Sequence, residues 1–250
     1  MARARITRVI VRRQTLRYPL PAEFAARLQG QTVRAVVRRA KYLLVELSSG
    51  ERLVMHLGMS GWFRFMPAQL EAHDHVVFEM SNGKVVAFND PRRFGFLLLL
   101  SPDEHAGHGA LTRLGPEPLD KAFDAAALAA SLARRKTSLK MALSDQRVVA
   151  GLGNIYVVEA LHRARLSPKR RASTLVTSNG APRPALYDLV DAIRSVLKEA
   201  IRRQARTDDG NPFRIYDREG ERCPRRGCGG TIRRITQAGR STYYCPVCQR

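Results

Sequence analysis

The stretch CPRRGCGGTIRRITQAGRSTYYCPVC, Cys223 to Cys248, decides how the rest of the chain is read. Its four cysteines are the only ones among 250 residues and fall in two close pairs, Cys223-x4-Cys228 and Cys245-x2-Cys248. Two such pairs, each on its own turn, can bring four thiolates onto one tetrahedral Zn²⁺. Two disulfides or four idle thiols would satisfy the count equally. Zinc is favoured because all four cluster beside Pro or Gly in a chain with no secretory signal. The insert, Gly229 to Tyr244, reads as a β-hairpin, with TIRRIT and STYY flanking a QAGR turn. Arg233, Arg234 and Arg240 would project from it, a shape suited to a nucleic-acid groove.

The whole chain is strongly basic, with 43 Lys and Arg against 22 Asp and Glu and a formal net charge of +21. Such an excess calls for a polyanion, and nucleic acid is the first expectation. An anionic membrane surface or a ribosomal setting are the alternatives. Met1 to Arg13 alternates charged with single apolar residues, unlike a signal peptide. The longest apolar run, Phe96 to Leu100, is too short to span a bilayer. No basic helix with an aromatic face suggests membrane docking, so a cytoplasmic protein with no membrane partner is expected.

Upstream of the hairpin the texture divides in two. Residues 6 to 100 hold short β-branched or aromatic segments: ITRVIVRR, TVRAVVRR, YLLVELSSG, RLVMHLG, WFRFM, HVVFEMSNG, VVAFND and FGFLLLL. They predict an antiparallel sandwich or barrel, with PAEFAARLQG as its one helix and Gly30 as the stop. After Leu114-Gly115-Pro116 the spacing turns helical in DAAALAASLARRK, SLKMALSDQ, GNIYVVEALHRARL and PALYDLVDAIRSVLKEAIRRQ. Asp120 or Asp124 could cap the first, and Ser167-Pro168 closes the third. ARTDDGNPFRIYDREGE, from Ala205, reads as a linker. The expected organisation is an N-terminal β domain over 1–114, a helical domain over 115–204, a linker over 205–221 and the cysteine module over 222–250.

Between two helical patterns lies Val149-Ala-Gly-Leu-Gly-Asn-Ile-Tyr156. A tight Gly turn feeding a helix N-terminus exposes backbone N–H groups and a favourable dipole, which suits a phosphate. Asn154 would cap that helix or donate to the phosphate. Taken alone the motif is equally a plain structural corner.

GLGNIYVVEAL, MHLGMSG (Met55 to Gly61), NDPRRFG (Asn89 to Gly95), RRAKYLL (Arg38 to Leu44), LGPEPL (Leu114 to Leu119) and the C-terminal YDREGERC and AGRSTYYCPVCQR together resemble the bacterial formamidopyrimidine-DNA glycosylases, relatives of the endonuclease VIII glycosylases. The motifs run in order along nearly the whole chain. The first cysteine pair is wider than the family's, with four intervening residues rather than two. The resemblance implies an α+β multidomain fold: an N-terminal antiparallel β-sandwich, a helical domain with a helix–two-turn–helix motif, and a C-terminal zinc-pinned β-hairpin. It implies a monomeric base-excision repair enzyme, cytoplasmic and nucleoid-associated, that binds damaged double-stranded DNA. Such an enzyme flips an oxidised purine (formamidopyrimidine or 8-oxoguanine) out of the duplex, cuts its glycosidic bond and breaks the abasic strand by β,δ-elimination.

Residue by residue, the resemblance assigns Met59, Arg92 and Phe94 to filling the hole left in the base stack. Lys41 matches the residue near the scissile phosphates that assists β-elimination, and Arg240 the arginine that grips a phosphate and assists δ-elimination. His73 and Arg135 match DNA-backbone contacts, and Asn154 the phosphate-binding asparagine. Cys223, Cys228, Cys245 and Cys248 would hold one structural zinc.

Two departures bear on activity. The family's nucleophile is an N-terminal proline followed by a glutamate, but this sequence starts Met1-Ala-Arg-Ala-Arg-Ile, and Ile6 to Tyr18 already matches the strand after the family's first helix. A true start upstream that restores Pro-Glu, a non-catalytic protein that binds damaged or abasic DNA, and a substitute primary amine on Ala2 are the competing expectations. The other departure is ARTDDGNPFRI, shorter than the family's base-covering stretch and acidic at Asp208-Asp209, which would loosen preference for the oxidised purine. A zinc-ribbon RNA-binding or ribosomal accessory protein is a third class, though it leaves NDPRRFG and HLGMSG unexplained.

Overall fold

Every turn-bounded apolar segment of the first hundred residues is a strand in the computed structural model, which describes residues 1–204 and 212–250. In chain order they are β1 (Ile6–Val11), β2 (Val33–Arg39), β3 (Tyr42–Leu47), β4 (Arg52–His56), β5 (Trp62–Phe65), β6 (Asp74–Met80), β7 (Val85–Asn89) and β8 (Phe96–Leu100), with helix α1 (Phe24–Leu28) after β1. They form two four-stranded antiparallel sheets, ordered β1-β6-β7-β5 and β2-β3-β4-β8. Of the two architectures open to the sequence, the sandwich is therefore the one adopted.

The inward faces make one core, with Ile6, Phe78 and Phe88 from one sheet and Val45, Leu53, Met55 and Leu97 from the other. Phe24 and Leu28 of α1 close its end, as burial of an amphipathic helix requires. The second sheet is apolar on both faces. Leu44, Val54 and Leu100 form a separate cluster against Leu111, so part of the outer face is withdrawn from water, while Val37, paired with Leu44, stays exposed. Leu111 belongs to α3 (Gly109–Thr112), which follows α2 (Pro102–Gly107). Sequence periodicity missed both short helices, although Ser101-Pro-Asp-Glu104 is a capping box, with Ser101 and Glu104 each bonding the other's backbone N–H.

Residues Met1–Thr112 form one compact unit and Arg113–Arg250 another. In the second, α4 (Ala125–Leu132), α5 (Leu139–Ser144), α6 (Asn154–Arg163) and α7 (Pro184–Gln204) enclose Leu128, Leu132, Leu143, Val157, Leu161, Leu189 and Ile193. Asp124 and Ser138 cap α4 and α5 by accepting from Ala127 N–H and Met141 N–H. The expected cap by Asn154 is not formed. Gly153 occupies the N-cap of α6 and Asn154 is already helical, which turns its side chain away from the free N–H groups. Strands β9 (Arg233–Gln237) and β10 (Arg240–Tyr244) make the hairpin, joined by Ala238 (φ 49°) and Gly239 (φ 70°). Positive φ at both loop residues is the type I′ turn that matches strand twist.

The described part of the segment read as a linker is packed. Ile215 is fully buried, and the Glu159 carboxylate of α6 accepts three N–H bonds, from Arg214, Ile215 and Tyr216. Asp208 and Asp209 lie outside the described residues.

Candidate metal centre and nucleic-acid interface

The four sulfurs lie within 4.8 Å of one another, with Cys223 Sγ 3.8 Å from Cys248 Sγ and Cys228 Sγ 3.5 Å from Cys245 Sγ. Zinc–sulfur bonds of about 2.3 Å in a tetrahedron put sulfurs about 3.8 Å apart, so the spacing fits the ion. All four cysteines are free, and the disulfide alternative falls. Burial pushes the Cys248 thiol up to about 12 and raises Cys223, so a cation is needed to hold four thiolates here. Gly230 N–H, aimed at Cys228, lowers that thiol. A Cβ on Gly230 would sit 2.7 Å from Cys245 Sγ, so only glycine lets the chain pass. A closed four-thiolate site is a structural one, and the centre holds one structural zinc.

The hairpin is tied to the helices along its length. At its tip, Lys140 Nζ of α5 donates to the Gln237 carbonyl at 3.3 Å, and Gln237 Nε2 donates to Ser138 Oγ at 3.1 Å. Asn154 Nδ2 donates to the Ser241 carbonyl at 2.9 Å. Burial, and next Arg240, lower the pKa of Lys140. In the middle, Ile232 and Tyr243 share a core with Val158 of α6 and Ile215. At the zinc end, Arg225 Nη2 donates to the His162 and Arg163 carbonyls at 2.7 and 3.1 Å, which neutralises the negative end of α6. Arg225 is supplied by the longer first cysteine pair. Buried His162 sets Nε2 3.4 Å from Cys223 Sγ, and burial, followed by Arg225, holds its pKa down to about 4.

In the N-terminal unit the loops bearing Met59 and Arg92–Phe94 touch. A Cβ on Gly58 would lie 2.4 Å from the Phe94 carbonyl carbon. Met59 is 74% exposed and Phe94 41% exposed, with the Arg92 guanidinium 4.7 Å from the Phe94 ring centre. Two large apolar side chains are thus held out to solvent on adjoining short loops. Beneath them the buried Asp90 accepts from Ser60 Oγ at 2.6 Å and from Gly95 N–H at 2.7 Å.

Lys41 is exposed at the β2–β3 turn, beside His56. Burial, then Lys41 and Arg17, lower the His56 pKa and keep the ring neutral, so its Nδ1 accepts Gly58 N–H at 2.9 Å. His73 is exposed just before β6, with its ring 6.2 Å from that of His75. Arg135, of the second unit, is half-buried, and its guanidinium bonds Asp145 Oδ2 at 2.9 Å and the Ser131 carbonyl at 3.0 Å. Arg240 opens β10 and is exposed. Sequence reasoning missed Lys140, Glu159, His162, Asp90 and Ser60. A lone polar residue in an apolar stretch was the available signal for the first three.

Three family models match the chain. They are the formamidopyrimidine-DNA glycosylase N-terminal domain over residues 1–97, the formamidopyrimidine-DNA glycosylase H2TH domain over 114–209, and the zinc finger found in FPG and IleRS over 220–250. The formamidopyrimidine-DNA glycosylase of Rhodopseudomonas palustris (strain BisB18) is 54% identical over 276 aligned positions, covering 100% of this chain and 94% of the relative. That of Afipia carboxidovorans is 52% identical with the same coverage. Among solved structures, Lactococcus lactis FPG (MutM) with a FAPY-dG containing DNA is similar at a TM-score of 0.85 and 31% identity, covering 99% of this chain and 93% of that one. MutM in complex with carbocyclic 8-oxo-G containing DNA is similar at 0.85 and 32%, covering 100% and 94%.

Proposed function

The chain belongs to the formamidopyrimidine-DNA glycosylase family, and we propose that it finds oxidised purines in duplex DNA, extrudes them and serves base-excision repair as a glycosylase and abasic-site lyase. The observation that carries this reading is the pair of touching loops that hold Met59, Arg92 and Phe94 exposed. A thioether and an aromatic ring replace the stacking lost when a base leaves, and the Arg92 fork satisfies the orphaned partner base.

Phosphates are taken by the exposed cations. Arg240 on the hairpin grips a phosphate and assists δ-elimination, and Lys41 at the β2–β3 turn assists β-elimination, each stabilising anionic charge. His73, Arg135 and Asn154 hold the backbone. The zinc keeps the hairpin folded and takes no chemical step. The imine chemistry of the family draws on an N-terminal amine and a neighbouring carboxylate. Neither role is assigned here to a residue of the sequence given. Lesion binding without chemistry is the second reading.

Action in the bacterial cytoplasm fits the bacterial relatives. None of the described helices is long and apolar enough to cross a membrane. Incubation with an abasic duplex and borohydride tests the reading. A trapped covalent adduct establishes imine chemistry, whereas salt-sensitive abasic-site binding without an adduct selects the second reading. Preference for structured RNA over abasic DNA would overturn both.

A further inference from the structure

We propose that Asp90 and Ser60 are positioning residues that lock the two exposed loops into one wedge, so that Met59, Arg92 and Phe94 enter a base stack together. The inference rests on the stack-filling reading of those three side chains. Asp90 is fully buried at the end of β7 and is the hub of both loops. Its Oδ2 accepts the N–H of Gly95, directly after Phe94, at 2.7 Å. Its Oδ1 accepts the hydroxyl of Ser60, directly after Met59, at 2.6 Å.

The Ser60 hydroxyl then does a second job. Because its proton is committed to Asp90, its lone pairs face outward, and one accepts the N–H of Arg92 at 3.2 Å. One carboxylate thus fixes Ser60 beside Met59 and Gly95 beside Phe94, and through Ser60 it holds the backbone N–H of Arg92 itself. The backbone of Asp90 extends the frame, its N–H donating to the His73 carbonyl at 3.1 Å and its carbonyl lying 2.9 Å from His75 Nε2. The loop preceding β6 is therefore registered against the same hub.

Burying a carboxylate is expensive unless its hydrogen bonds are met, and both oxygens of Asp90 are used on loops rather than on the core. An apolar residue could fill that space with less cost to stability. What the carboxylate adds is direction: it orients two otherwise short, exposed loops before DNA arrives, so their ordering entropy is not lost on binding.

The test uses the full chain with Ser60→Ala, Asp90→Asn and Asp90→Ala, and compares duplexes with and without a tetrahydrofuran abasic analogue opposite 2-aminopurine. Ser60→Ala is expected to lower the affinity ratio of abasic over intact duplex about tenfold and to reduce the 2-aminopurine response, with affinity for intact duplex and its salt slope unchanged. Asp90→Asn, which keeps an acceptor for Gly95 N–H, should retain part of what Asp90→Ala loses. Met59→Ala with Phe94→Ala serves as the reference. If that pair leaves the abasic preference intact, the stack-filling reading fails. If it abolishes the preference while folded Ser60→Ala and Asp90→Asn keep the wild-type ratio and fluorescence, the positioning role is overturned. Should Asp90→Ala fail to fold, Ser60→Ala and Asp90→Asn decide alone.

Discussion

Asn154, the first residue of α6, gives its side-chain N–H to the carbonyl of Ser241, the neighbour of Arg240 on the hairpin. The turn expected to bind phosphate and the arginine expected to grip one are therefore joined through a single bond of 2.9 Å. A phosphate contact at this turn would be made by a pre-assembled pair rather than by two independent groups.

Arg240→Ala should leave the zinc bound, because the four sulfurs lie at the other end of the hairpin strands. Its affinity for abasic duplex should fall, and the slope of log K against log salt should become shallower by about one. Asn154→Ala should weaken the same binding and in addition loosen the hairpin tip, costing about 1 kcal/mol of stability. Fluorescence anisotropy across a salt series and urea melts separate the two effects.

Zinc removal should reach beyond the hairpin. Ile232 and Tyr243 share their core with Val158, so an unfolded hairpin strips apolar cover from α6. Chelation, or Cys245→Ser, should raise hydrogen exchange in α6 as well as in β9 and β10, while β1 to β8 keep their protection. Gly230→Ala places a methyl against Cys245 Sγ and should lower zinc affinity about 10- to 100-fold, read by competition with a chromophoric chelator.

Arg225→Ala should preserve the metal site yet destabilise the second unit. It removes a charged donor from two carbonyls at the end of α6, a loss of about 1 to 2 kcal/mol by denaturant melts. Arg225→Lys should recover only part, since a point charge replaces a fork.

Hydrogen bonds from Arg147, assisted by Arg135, hold the Asp145 carboxyl down to about 2. The folded value lies below the unfolded one of about 3.9, so this stabilisation is complete above pH 4 and is lost as pH falls towards 2. Asp145→Asn should therefore cost about 1 kcal/mol at pH 7, discounted because Arg147 is largely exposed, and the difference should shrink between pH 4 and 3. Urea melts at pH 7, 4 and 3 provide the check.

All eight strands of the N-terminal unit and helices α4 to α7 are legible in the sequence, because alternation, helical spacing and turn residues are local signals. The four cysteine ligands are legible for the same reason, since their types and short spacings limit what they can bind. The short helices α2 and α3 are not, because α3 is a single turn and α2, PDEHAG, buries no residue and so carries no apolar period.

The sequence by itself thus determined which segments become strands, helices and a metal-pinned hairpin, and through its motifs which family they compose. Only the tertiary structure decided how the polar residues are used. Asn154 binds a carbonyl 87 residues away rather than capping its own helix, and Ser60 meets Asp90 across 30 residues. Arg225 caps a helix that ended 62 residues earlier. The physical reason is that a hydrogen bond needs two groups within about 3 Å, and chain folding rather than sequence spacing brings such distant partners together. Apolar burial depends on a residue's own face; polar satisfaction depends on its partner.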